Sequence, residues 1–114
     1  MFDIGLFKAG EIAVLCTNEE QARAFFKIAG DAGLKWRSGE DPREKFLYEH
    51  NYSEKYGGNV FVYRYQGSDD AMSRGSLRWF RDDVRCRKYQ LVEFKGVSIK
   101  IEPDDVLSIL AGNI

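Results

Sequence analysis

Few side chains in this sequence carry the chemistry of a reaction centre. There is one histidine, His50, and there are two cysteines, Cys16 and Cys86, about seventy residues apart. Zinc needs three or four Cys, His or acidic ligands that converge, and this spacing offers no such set. The acidic pairs Asp69-Asp70, Asp82-Asp83 and Asp104-Asp105 lack the spaced ligands of a calcium loop. Adjacent aspartates at turns and helix starts have a local explanation. A Ser or Cys nucleophile needs a base, usually His, and an orienting acid. His50 lies in Tyr48-Glu49-His50-Asn51-Tyr52, with no nucleophile motif elsewhere, and reads as an exposed loop residue. Gly57-Gly58 and Gly67 are turn glycines, not a phosphate cradle. The expectation is a protein with no metal, no cofactor and no enzymatic activity. Carboxylates meet in space, not in sequence, so an unrecognised carboxylate site stays open as the enzyme alternative.

The denser chemistry is cationic and aromatic. Between Arg74 and Lys88 lie Arg74, Arg78, Arg81, Arg85, Arg87 and Lys88 against Asp82 and Asp83, a local charge of +4 in a chain of net charge −1. Trp79, Phe80 and Tyr89 interleave with them. A guanidinium fork holds an anion and a ring stacks or anchors, as recognition of a phosphate or an acidic protein requires. Arg74, Arg78, Trp79, Arg81, Arg85 and Arg87 are therefore the expected partner-binding residues. Opposite charge lies in Glu40, Asp41, Glu44, Glu49 and Glu54. The Arg-rich segment either meets a partner or pairs with that loop. Trp36, Tyr48, Tyr52 and Tyr63 are a second aromatic set, expected to line a cleft or an oligomer contact, because so small a domain cannot bury every hydroxyl satisfied. Cys86, among Arg85, Arg87 and Lys88, sits where a thiol pKa falls. A half-buried strand or turn residue is the preferred reading of it.

With 114 residues the chain fits one domain. Eight Phe, six Tyr and two Trp suffice to fill a core, unlike a disordered chain. The net charge of −1 gives no field that gathers nucleic acid, so direct nucleic-acid binding is not expected. No stretch approaches the ~18 apolar residues of a membrane span. The first ten residues, MFDIGLFKAG, lack the basic start and apolar core of a signal peptide. Two cysteines are too few to staple a secreted domain. Together these predict a cytoplasmic protein with reduced thiols.

The elements that must position these residues follow from periodicity. Glu11 to Cys16 is an apolar strand. Thr17 with Glu20 three residues on is a capping box, and a helix runs from about Asn18 to Asp31. Ala22, Phe25, Phe26, Ala29 and Ala32 form its apolar face, Glu19, Arg23 and Lys27 its wet face, and Gly30 and Gly33 its stop. Leu34 to Trp36 begins a second strand, ended at Ser38-Gly39. Phe2, Leu6 and Phe7 form a helical turn expected to pack at the sheet edge. Glu40 to Gly58 is a polar loop whose aromatics pack it down on the domain. Asn59 to Gln66 is the strongest strand. Ser76 to Arg81 reads as a strand with Leu77 and Trp79 on one face. Tyr89 to Phe94 and Val97 to Ile101 are further strands, and Pro103 opens a short terminal helix. The predicted fold is α+β: one main amphipathic helix on a mostly antiparallel sheet of about five strands, with a short C-terminal helix.

The stretches Gly10-Glu11-Ile12-Ala13-Val14, Cys16-Thr17, Glu19-Glu20 and Gly33-Leu34-Lys35-Trp36-Arg37-Ser38-Gly39 resemble a loose group of small phage and prophage proteins of unknown function. The shared features are an aliphatic strand, a Cys-Thr-x-Glu-Glu helix start and a G-x-x-W-x-S-G strand end. The resemblance covers about the first forty residues. The Arg-rich segment and the stretch from Val97 to Ile114 lie outside it. It implies a phage accessory protein, non-enzymatic, that binds and inhibits a host defence machine such as a CRISPR effector in the host cytoplasm. The partner would be a host protein or nucleoprotein complex. The competing expectation is a sponge for a small phosphorylated or cyclic-nucleotide signal, held by arginines and aromatic rings at a homo-oligomer contact.

Overall fold

Ile12–Leu15 is apolar at four successive positions, and all four are buried. A strand alternates its side chains between two faces, so a run with no wet side requires a sheet covered on both. That is what forms. The structure is a computed structural model that describes residues 2–48, 59–65, 70–82 and 88–111.

The elements run α1 (Ile4–Lys8), β1 (Ile12–Leu15), α2 (Glu19–Asp31), β2 (Lys35–Trp36), β3 (Asn59–Arg64), β4 (Ala71–Ser76), α3 (Leu77–Asp82), β5 (Gln90–Phe94), β6 (Ser98–Lys100), a 3₁₀ turn (Pro103–Asp105) and α4 (Val106–Ala111). The six strands are ordered β2-β4-β3-β1-β5-β6. The α+β class stands, with a short C-terminal helix. The sheet differs from the expected one: β1 runs parallel to β5 and β2 parallel to β4, while the other three pairings are antiparallel. Strands that run the same way need a long crossover between them; α2 carries the chain from β1 to β2, and α3 carries it from β4 to β5.

Two cores result, one on each face. Ile12, Val14, Val62, Val92 and Phe94 point into the first, beneath α1 and α2. Ala13, Leu15, Phe61, Tyr63 and Leu91 point into the second, beneath α3 and α4. Phe25 centres the first core, with ring centroids 5.5 Å from Phe2, 5.3 Å from Phe7 and 5.7 Å from Phe94. α1 contacts β1 and β3, so it covers the middle of the sheet and not its edge. Phe7 of α1 and Phe2 just before it are buried in the first core, whereas Leu6, expected to pack with them, is exposed.

Helix α2 starts one residue later than the capping box predicts. Asn18 is the N-cap and accepts from the Gln21 amide at 2.8 Å, while Thr17 is buried. Its end is a Schellman motif: Gly33, at φ +87°, donates to Gly30, and Leu34 donates to Ala29. Gly30 lies inside the helix and is no stop. A Cβ there would come within 2.5 Å of Arg43 Nε, so Gly30 is the seat across which Arg43 lies. Arg43 then bonds Asp31 at 2.9 Å and Asp41 at 2.6 Å. The loop after β2 packs down as expected, at least through residue 48. Trp36 Nε1 donates to the Lys45 carbonyl at 2.8 Å, Pro42 is fully buried, and Arg23 lies 4.0 Å from the Phe46 ring. Among the described residues, no helix is long and apolar enough to cross a membrane.

Truncating Phe25 removes the hub of the first core. Phe25→Ala should cost about 3–5 kcal/mol, a large share of a small domain's stability, measured by urea unfolding with the wild-type slope retained. A second prediction concerns acid. Hydrogen bonds from the Arg43 side chain, then its amide, hold the Asp41 carboxyl down to about 2. A lowered folded pKa contributes stability above the unfolded value of about 4 and loses it as pH falls toward the folded one. Asp41→Asn should therefore lower the melting temperature at neutral pH and flatten its dependence between about pH 4 and pH 2.

Candidate partner-binding face

The segment expected to be an Arg-rich strand is a strand followed by a helix. β4 ends at Ser76 and α3 occupies Leu77–Asp82. Ser76 Oγ accepts from the Trp79 amide at 3.2 Å, the geometry of an N-cap. Leu77 and Phe80, three residues apart, are both buried. The expected pairing of Leu77 with Trp79 on one face of a strand is thus replaced by a helical pair, because the cap satisfies the amide that a strand would leave to a neighbour.

α3 folds back tightly over its own strand. A Cβ on Gly75 would fall 2.6 Å from Trp79 Cε3 and 2.7 Å from Phe80 Cε2, so only glycine admits both rings. Trp79 is half-buried, with its ring centroid 4.9 Å from those of Tyr63 and Phe80. Phe80 also meets Phe61 at 5.3 Å and Tyr89 at 5.5 Å. Tyr89 in turn donates its hydroxyl to the Arg64 carbonyl at 3.3 Å. Four other rings, from β3, α3 and the residue before β5, thereby hold the indole in place while leaving part of it in solvent.

Arg78 and Arg81 are exposed on the same helix. Arg81 bonds Asp82 at 2.9 Å, and this bond holds the Asp82 carboxyl below its usual range. Arg74 is elsewhere. Its register opposite Val62 sets it on the face beneath α2, so it does not join Arg78, Trp79 and Arg81. Arg85 and Arg87 lie outside the described residues, as do Cys86, Asp83 and His50. The expected cleft set is divided in the same way. Trp36, 3% exposed, is in the first core, and Tyr48 packs against that core, half-buried beside Phe46 at 5.9 Å. Tyr63, 9% exposed, is in the second core, across the sheet. Tyr52 lies outside the described residues. No one cleft holds Trp36 and Tyr63 together.

A groove of about 310 Å³ runs beside α3, with Phe80, Tyr89, Leu91, Ile101 and Pro103 in its walls and Arg81 among its charged groups. Lys100 and Glu102 also border it. Its described lining holds rings, aliphatics, the Gln90 amide, one acid and two bases. Asp31, Asp41 and Asp82 all have lowered carboxyl pKa values, each with a hydrogen bond from a basic side chain as the largest cause. A general acid needs the opposite shift. Cys16 is buried, and burial pushes its thiol up to about 12, which removes the thiolate at neutral pH. No group of three metal-ligating side chains occurs among the described residues.

Sequence reasoning missed the two residues that build this face, Ser76 and Gly75. Ser before an Arg-aromatic run was the available signal for a helix start. It also missed a second cation–aromatic contact, Arg37 lying 4.1 Å from the Tyr65 ring beyond β2. In comparisons with known proteins, no family model, curated protein or solved structure matches this chain.

Gly75→Ala should force Trp79 or Phe80 out of place and cost about 1–3 kcal/mol. It should also increase the solvent exposure of Trp79, read as faster acrylamide quenching of the red-shifted tryptophan emission. Wild-type quenching in the variant would contradict the packing described for Gly75.

Proposed function

We propose that this protein is a non-enzymatic binding protein that docks onto an acidic protein surface through α3. The observation that carries this reading is one helix presenting a clamped, half-exposed Trp79 between exposed Arg78 and Arg81. An aromatic anchor held rigid loses little entropy on binding, and flanking arginines select an acidic partner and speed encounter. The phage accessory proteins that the first forty residues resemble supply the biological setting. There the acidic surface belongs to a host defence machine such as a CRISPR effector, and the protein works by occupying it in the host cytoplasm.

A second reading rests on the groove beside α3. At about 310 Å³ it reaches the lower end of small-molecule sites, and a lining that combines Arg81 with the Phe80 and Tyr89 rings suits a phosphorylated ligand with a planar base. In that case the protein sequesters a small nucleotide signal.

Co-purification from host lysate, with mass-spectrometric identification, tests the first reading. The captured partner should be an acidic assembly, and Arg78→Glu with Arg81→Glu should weaken the complex by about tenfold or more. Undiminished affinity in the double variant contradicts docking through α3. Thermal shift with cyclic nucleotides tests the second, which fails if no nucleotide raises the melting temperature.

A further inference from the structure

The two ends of the sheet are finished differently. At β2 the outward amide, that of Trp36, donates to the Glu40 carbonyl at 2.9 Å, so the chain covers its own edge. β6, the last strand at the other end among the described residues, has no such cover. Ser98, Ile99 and Lys100 are all exposed, and Val97 and Ile99 are two of the exposed large apolar side chains, at 42% and 41%. Exposed edges of this kind are templates for another strand.

The ladder shows which groups point outward. Ile101 donates to Leu91, Lys95 donates to Val97, and Glu93 lies opposite Ile99. The backbone groups of residues 97, 99 and 101 therefore face β5. Those of Ser98 and Lys100 face away, since direction alternates along a strand.

We propose that β6 pairs antiparallel with β6 of a second copy of this chain, centred on Ile99. In that register Ser98 of each copy meets Lys100 of the other, and each pair exchanges two backbone hydrogen bonds. Ile99 meets Ile99 of the second copy as a close, non-hydrogen-bonded pair, burying the exposed side chains. Neighbouring registers are worse. Centring on Lys100 sets two lysines directly opposite each other, which is destabilising. Centring on Ser98 sets Lys100 against Gly96, whose φ of +76° is not that of a strand. An edge lysine ordinarily guards against pairing; here it faces a serine.

Sedimentation velocity of the full chain over a range of concentrations tests the pairing. The weight-average mass should rise from monomer toward dimer. Ser98→Pro, which removes one outward amide per copy and leaves the β5 ladder intact, should stay monomeric. Disulfide trapping tests the register in a Cys86→Ser background. Ile99→Cys sets its two Cα atoms about 4.5 Å apart, within disulfide reach, and should give a covalent dimer under mild oxidation. Val97→Cys, equally exposed, places them about 13 Å apart and should not. A chain that is monomeric at every concentration, a Ser98→Pro variant that still dimerises, or equal trapping of the two cysteine variants would each overturn the proposal.

Discussion

The double burial of β1 is the constraint on which the rest depends. Ile12 and Val14 face one core, and Ala13 and Leu15 the other. Exposing either pair to water forfeits roughly 1.5–3 kcal/mol for each large side chain. The sheet must therefore carry cover on both faces, and the chain must supply it from several places. α1 and α2 cover the first face. The second is covered by α3, only six residues long, and by the terminal α4. Short helices contribute little stability of their own; α3 persists because Leu77 and Phe80 are core residues.

This explains why the Arg78-Trp79-Arg81 face sits where it does. A short covering helix must lie close to the sheet, and Gly75 permits that approach. Closeness brings Trp79 onto Tyr63 and leaves the outer half of the helix to Arg78 and Arg81. The site is a by-product of core formation, so its geometry is set by the same contacts that fold the protein. The acidic loop after β2 is organised separately, around Arg43 lying across Gly30 and bonded to Asp31 and Asp41. Asp41 of that loop thus has a basic partner from outside the Arg74 to Lys88 segment.

What was legible in the sequence was what local pattern encodes. The three-and-four spacing of Ala22, Phe25, Phe26 and Ala29 marks α2, and all four are buried. Alternation marks β3 and β6, and the apolar run marks β1. Strand partners are not local, so the parallel pairings of β1 with β5 and β2 with β4 had no signature. Thr17 and Asn18 both suit a cap, and the sheet decided between them by burying Thr17. Ser76 to Arg81 fits a period of two at Leu77 and Trp79 and a helical spacing at Leu77 and Phe80. Only the Ser76 cap and the second core select the helix. Of the residues expected to bind a partner, Arg78, Trp79 and Arg81 share α3. Arg74 lies on the other face, because a strand alternates where a helix does not.

Packed through Leu77 and Phe80 into the second core, α3 is a pre-formed platform, one rigid body with the sheet beneath it. Residue-resolved native-state hydrogen exchange tests it most directly. The amides of Val14, Leu15 and Val92 should exchange only by global unfolding. The Phe80 and Arg81 amides should approach the same opening free energy, within about 1–2 kcal/mol. Exchange of the α3 amides at rates near those of an unstructured chain, with β1 still protected, would contradict the account, because Trp79 would then have no fixed setting from which to bind.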